Sequence, residues 1–488
     1  MPASSISCEK SPQIVLHPAQ CVTQNEAVTT TVAQPPSARR GTRRNMKPIL
    51  ALNAFEAKDT AALPGEVRPL VEQRNAVMGA ASVLFYDTPI EMVSAHGAVM
   101  VDAQGREYLD FYNNVPSVGH CHPHVTAAIA RQLTQLNIHS RYLHRGMHAY
   151  AERLLATFPA GLSNLTLTCT GSESNDLALR LARNFTGRTG VIVSAGAYHG
   201  NTAAVTEVSP TSAKTGTQSP QVRLVPTPDS YRVPPEELAT RFAADVSAAA
   251  LDLEQQGFGV AALLVDSIFS SDGVYADPPG FLAAAVAVTK HHGGLFIADE
   301  VQPGFGRTGT HLWGFARHGV VPDIVTMGKP MGNGYPMGGV VTRPEILTAL
   351  CDEVGYFNTF GGTPVAAAAG MAVLDVLENE QLMANAEHVG AYLRQSLREL
   401  AVRFPCLGDV RGAGLYNAVE IVSDPQRKTP AADLTSKLMN GLRQRQVLIG
   451  AAGPAANVLK LRPPLCLSRA NVDSFIHATA DTLAALGH

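Results

Sequence analysis

Short apolar runs recur through the middle of the chain, each separated from the next by a longer stretch with helical spacing. Val191-Ile192-Val193, Ala261-Ala262-Leu263-Leu264-Val265 and Leu295-Phe296-Ile297-Ala298 contain no polar residue and read as strands buried on both faces. Leu165-Thr166-Leu167-Thr168 and Ile324-Val325-Thr326 read as further strands. Between them, Tyr150 to Phe158, Glu173 to Asn184 and Pro278 to His292 read as helices. The last opens on Pro-Pro, which a first helical turn tolerates. Short strands alternating with long helices predict a mostly parallel sheet covered on both faces, an α/β architecture. The flanks differ. Asp102 to Asp110 predicts a hairpin with Gln104-Gly105 at its turn. From about Gly361 the chain reads as helices (Pro364 to Glu378, Gln381 to Val402), then short strands near Leu415 to Ile421 and Val458 to Leu461. That tail of elements suits a smaller α+β domain.

Residues 1–45 break the pattern. They are rich in Ser, Thr, Pro and Gln and end near Arg39-Arg40-Gly41-Thr42-Arg43-Arg44. Such a segment buries too little apolar surface to order itself and is expected to be a disordered tail, with Met46 a natural start. It is basic and poor in acids, as a transit peptide is, but lacks the amphipathic helix of one. The whole chain has 488 residues, 45% hydrophobic and 16% charged, enough for two or three domains and a large core. A net charge of −3 leaves no electrostatic footprint for nucleic acid. No apolar run approaches the roughly 18 residues a membrane span needs. Seven cysteines, odd in number and scattered, argue against a disulfide framework and for a reducing, cytoplasmic location.

Two strand ends carry the chemistry. Lys329 follows the apolar run at Ile324 and is flanked by glycines, with no acid beside it in sequence. A lysine amine held this way is a candidate nucleophile toward an aldehyde. Asp299 ends the run Leu295 to Ala298. A carboxylate for a pyridinium nitrogen and a lysine for a Schiff base are what pyridoxal phosphate requires. Thr170-Gly171-Ser172-Glu173 follows a strand and opens a helix, so its free amides suit a phosphate, although an ordinary helix cap reads the same way. Tyr198 lies past the strand at Val191, where it could lie flat on a pyridine ring or simply fill core. His120, Cys121, His122 and His124 are spaced too tightly for a structural zinc set, so no metal is expected and the segment reads as a loop at the substrate entrance.

These motifs resemble the class III aminotransferases, pyridoxal-phosphate enzymes of fold type I, over roughly Ala80 to Leu483. Asp299-Glu300-Val301-Gln302-Pro303-Gly304-Phe305-Gly306-Arg307-Thr308-Gly309 is similar to the family signature, and Gly328-Lys329 to its Schiff-base element. Thr359-Phe360-Gly361-Gly362-Thr363-Pro364 resembles its segment that reaches a neighbouring subunit's cofactor phosphate. The resemblance implies a large domain (residues 126–365) around a mostly parallel seven-stranded sheet. It also implies a small domain built from residues 46–125 and 366–488. It implies Lys329 as Schiff-base lysine and proton shuttle, Asp299 as pyridinium partner, and Val301 and Tyr198 on the two ring faces. Gln302 would reach the phenolic oxygen, and Gly171, Ser172 and Thr359 would hold phosphate. If Thr359 acts across an interface, the protein is an obligate homodimer, or a tetramer built from two such dimers.

For the substrate, Arg462 in Leu459-Lys460-Leu461-Arg462-Pro463 is similar to the family's carboxylate-binding arginine. Many relatives gate that arginine with a glutamate; the corresponding position here is Ser271. Asn113, Arg141 and Tyr142 resemble a subgroup containing alanine–glyoxylate-type aminotransferases and phospho-lyases, and this polar set suits a carboxylate or a phosphate. The expected activity is transfer of an amino group from an amino acid or amine to a keto acid. The alternative is elimination of phosphate or ammonia from a phosphorylated amino alcohol on the same cofactor.

Overall fold

The structure is a computed structural model that describes Leu52 and residues 54–81, 83–212 and 219–488. The expected tail, residues 1–45, and Met46 lie outside the described residues. A first sheet starts with the antiparallel strands β1 (Met92–His96), β2 (Val99–Asp102) and β3 (Glu107–Asp110). The hairpin between β2 and β3 is the one the sequence predicts: Asp102 Oδ1 accepts from the amides of Gln104 and Arg106, and Gly105 has φ +76°.

The second sheet is the central one. It contains β4 (Asn164–Thr168), β5 (Gly190–Ser194), β6 (Val222–Val225), β7 (Val260–Asp266), β8 (Leu295–Asp299), β9 (Ile324–Met327) and β10 (Gly338–Thr342). Their order across the sheet is β4-β10-β9-β8-β7-β5-β6. All neighbours are parallel except β10, which runs antiparallel to both β4 and β9. Strands β5, β8, β9 and β10 are buried along their whole length, which is why their sequences carry no alternation.

The third sheet follows in the chain: β11 (Leu407–Ala413), β12 (Tyr416–Asp424) and the short β13 (Thr429–Pro430). Next, β14 (Val447–Leu448) leaves it to pair in parallel with β3 of the first sheet. Finally β15 (Gly450–Ala452) and β16 (Val458–Leu461) complete it, with β16 held between β12 and β15. Segments from both ends of the chain therefore build one sheet.

The helix Gly171–Thr186 starts two residues before the expected one because Thr170 caps it, its hydroxyl accepting from the Glu173 amide at 3.1 Å. It stops at Gly187, φ +65°, and buries Leu177, Ala178, Leu181 and Ala182 against the central sheet. Two expectations move further. The helix read from Pro278 begins only at Ala283, since Gly280 takes φ +90° and residues before it form turns. The helix read from Tyr150 already starts at Arg145 and ends at Leu155, before Pro159. The expected entrance loop at His120 to His124 is also corrected: His122 caps the helix Pro123–Leu133, and none of the three histidines reaches the central cavity. Each points to its own carboxylate, His120 to Asp110 at 2.7 Å, His122 to Glu380 at 2.9 Å and His124 to Asp375 at 2.9 Å.

Strand β10 escaped the sequence reading because Gly338-Gly339 dilutes its apolar signal. Glycine is needed there: a Cβ on Gly338 would stand 2.6 Å from Thr168 Oγ1 and 2.8 Å from the Thr170 carbonyl oxygen.

Candidate active site

The carboxyl ends of β7, β8 and β9 open on a cavity of about 490 Å³, where open α/β sheets bind ligands. Asp266 ends β7 and Asp299 ends β8, and the two are register partners. Lys329 lies just past β9. The chain thus brings the expected lysine and carboxylate to one rim.

Asp299 is buried and its carboxylate is fully engaged. Oδ2 accepts from Asn175 Nδ2 at 3.0 Å and faces His199 Nδ1 at 2.7 Å, while Oδ1 accepts from the Val301 amide at 3.1 Å. Asn175 is itself fixed, donating to the His199 carbonyl at 2.8 Å and accepting from Thr326 Oγ1 at 2.7 Å. Sequence reading missed Asn175 and His199. The His adjoining Tyr198 was visible, but nothing local says that it turns toward a strand a hundred residues away.

Among the described residues Lys329 Nζ has no hydrogen bond or ion pair. Burial, then the nearby Arg462 guanidinium, pulls its pKa down to about 8, against the opposing pull of Asp299 and Asp266. Burial first, then Asp299, pushes the Asp266 carboxyl up to about 6. The amides of Ile268 and Ser270 nevertheless donate to it, at 3.0 and 3.2 Å.

Opposite the carboxylates, Thr170, Gly171 and Ser172 present the first turn of the Gly171–Thr186 helix to the cavity. The Gly171 and Ser172 amides have no acceptor among the described residues and stand at the positive end of the helix dipole. The turn is tightly enclosed: a Cβ on Gly171 would meet Val301 Cγ2 at 2.8 Å, and one on Gly200 would meet Ser172 Oγ at 2.4 Å. Tyr198 and Val301 both line the cavity. An anion cradle, a buried carboxylate and an unpaired amine in one enclosed space fit pyridoxal phosphate. Gly171 and Ser172 would hold its phosphate, Asp299 its ring nitrogen, and Lys329 its aldehyde carbon.

Arg462 closes another wall. Its Nη1 donates to Gln302 Oε1 at 2.7 Å and Asn114 Oδ1 at 3.2 Å, and its guanidinium carbon stands 4.5 Å from the Tyr112 ring centre. Gln302 is occupied at both ends, donating to Ser270 Oγ at 2.6 Å and accepting also from Tyr416 Oη at 2.9 Å. Ser271 lines the same cavity.

The other expected substrate residues do not gather here. Asn113 donates to Asp110 Oδ2 at 3.0 Å, Arg141 is exposed with its guanidinium 3.9 Å from the Phe357 ring centre, and Tyr142 stacks on His139. Thr359 is exposed and off the cavity of its own chain. Among the described residues no cluster of three or more metal-binding side chains occurs.

The family model for class III aminotransferases matches residues 84–483. An alanine–glyoxylate aminotransferase 2-like protein of Drosophila melanogaster is 41% identical over 85% of this chain and 87% of its own length. An ethanolamine-phosphate phospho-lyase homologue of Caenorhabditis elegans is 37% identical over 87% and 96%. Among solved structures, a phospholyase from Arthrobacter in complex with phosphoethanolamine is 44% identical, covers 85% of this chain and 99% of its own, and superposes with a TM-score of 0.82.

Proposed function

The chain belongs to the class III aminotransferase family of fold type I, pyridoxal-phosphate-dependent enzymes, and within that family we propose that it eliminates phosphate from a small phosphorylated primary amine. Transamination is the reaction expected from the motifs alone. One observation moves the weight to elimination: Arg462 faces the cavity bound only to neutral oxygens, and Ser271, at the position the family resemblance gives to a gating glutamate, lines the same cavity. A transaminase alternates between two substrates and gains from an arginine that can be switched off. A permanently available arginine suits a single substrate with a fixed anionic group. The relative crystallised with phosphoethanolamine, 44% identical, supports the same choice.

The bound cofactor supplies an electron sink that acidifies the substrate carbon attached to nitrogen. The chain does the rest. Lys329, whose charged form burial disfavours, would take the proton from that carbon. Arg462 holds the phosphate and stabilises the charge it carries away with the C–O electron pair. Gln302 and Asn114 fix the guanidinium plane, and His199 with Asn175 hold Asp299 in one orientation.

The test is to incubate holoenzyme with phosphoethanolamine and no keto acid. Inorganic phosphate released over many turnovers is the expected result. A single turnover that leaves the amino group on the protein and frees no phosphate would return the assignment to transamination.

The reading includes a homodimer and a cytoplasmic location. Thr359 is flanked by the exposed Phe357 and by Phe360, 72% exposed, and Leu143 is 92% exposed. Exposed apolar side chains of this size are what a second copy covers, and the contact would carry Thr359 toward that copy's cofactor phosphate. Light scattering should give twice the chain mass, and Phe360→Asp should lower it. Among the described residues no helix is long and apolar enough to cross a membrane, and Cys121, Cys169, Cys351, Cys406 and Cys466 form no disulfide. Cell fractionation tests the location.

A further inference from the structure

Two residues before Arg462, within β16, the structure buries a second cation that the proposed chemistry does not use. Lys460 lies in the middle of β16, its backbone paired with Ala418 of β12 and Gly450 of β15. Arg462 directly follows β16, two residues on from Lys460, the spacing that returns an extended chain to the same face. That face is the cavity wall, which both residues line. Leu459 and Leu461 leave the other face and are buried in core.

Lys460 is 4% exposed, yet among the described residues its ammonium makes no hydrogen bond and no ion pair. Its Nζ stands 5.6 Å from the centre of the Tyr416 ring. The charged and titratable groups around it are Arg462 just past its own strand, Asp266 from β7, Asp272 from the loop beyond, and Lys329 past β9. Neither acid serves as its close partner. Asp266 is engaged by the Ile268 and Ser270 amides. Asp272 accepts from Ser194 Oγ, the Gly196 amide and Thr227 Oγ1 at 2.9, 2.9 and 2.7 Å. A purely structural position in the centre of a sheet would be filled more cheaply by Met or Leu.

We infer that Lys460 and Arg462 together form a two-cation subsite for the substrate's phosphate group, with Lys460 as the residue that prefers a dianion over a carboxylate. The inference rests on the reading that the substrate carries phosphate. A carboxylate has one negative charge and is satisfied by the Arg462 fork alone. A phosphate has a further oxygen and a further charge, and Lys460 offers a compact point charge beside the fork. Burial, and then Arg462, push the Lys460 pKa well below its usual value, so an arriving dianion also supplies the field that favours the charged ammonium.

The experiment measures binding, not turnover. Inorganic phosphate and acetate are titrated calorimetrically at pH 8 into the holoenzyme, whose cofactor phosphate site is already filled. Lys460→Met should weaken inorganic phosphate by about tenfold or more and acetate by less than about twofold, and Lys460→Arg should keep phosphate within about threefold of the parent. The visible band of the lysine-bound cofactor, unchanged in both variants, reports that each is folded and loaded. Unchanged phosphate affinity in Lys460→Met, or equal weakening of phosphate and acetate, would overturn the subsite. So would a shift of the visible band's pH midpoint without loss of phosphate affinity, which would assign Lys460 to the cofactor instead. Failure of the elimination reading is separate: it shows as no phosphate release from phosphoethanolamine, whatever these affinities are.

Discussion

His199 Nδ1 stands 2.7 Å from Asp299 Oδ2, and the same oxygen takes Asn175 Nδ2 at 3.0 Å. The carboxylate that would hold the cofactor's ring nitrogen is thereby fixed by two side chains, one on a helix and one on a loop. Replacing His199 with Ala should leave the cofactor bound but lower turnover by about 10²-fold, the scale of a small misplacement. Asp299→Asn, which removes the charge itself, should cost more. Parent-like turnover in His199→Ala would show that Asp299 needs no such support.

Lys329 carries a pKa near 8 in the cofactor-free chain, where burial and Arg462 disfavour its charge. Only the free amine attacks an aldehyde, so the fraction able to react is low below that pH and complete above it. The rate at which apo-protein captures added pyridoxal phosphate, followed by its visible absorbance, should therefore rise with pH to a plateau with a midpoint near 8. A midpoint close to the ordinary lysine value would contradict the buried, cation-crowded setting. Lys329→Ala should give no such band and almost no turnover, and borohydride labelling of the parent should map to Lys329 alone.

Arg462→Met should reduce kcat/KM for a phosphorylated amine by about 10²-fold, on the order of 2–3 kcal/mol for a lost charge-assisted contact. Plain amines should be affected little. An equal loss on both would place Arg462 outside the substrate's path.

Ser271→Glu would return an acid to the cavity wall shared with Arg462. Pairing between them should raise KM for the phosphorylated amine by about tenfold or more, at little cost in thermal stability. An unaltered KM would mean that position 271 does not reach the arginine.

Gly171→Ala places a Cβ 2.8 Å from Val301 Cγ2, so this cavity-lining valine must shift. Cofactor affinity should fall about tenfold while the melting temperature of the apo-protein changes little. The reverse pattern would make Gly171 a packing residue only.

Much of this site is local in origin. An apolar run that ends abruptly in Asp299, another that leads to Lys329, and a strand that turns into a helix at Thr170-Gly171-Ser172 are each visible within a few residues. Each is a strand end, and strand ends in an α/β sheet point toward one rim. That is why the sequence by itself determined the architecture and the cofactor, and brought its candidate residues to one rim. Tertiary structure decided what those residues touch. His199 and Asn175 meet at Asp299, Lys460 comes beside Arg462 at the cavity wall, and Asn113 turns to Asp110 instead of the cavity. The antiparallel run of β10 was also hidden, behind two glycines that close packing requires. The physical reason is that periodicity reports which face of an element is buried. Which partner lies across from it depends on sheet order and register, set by contacts between residues hundreds of positions apart.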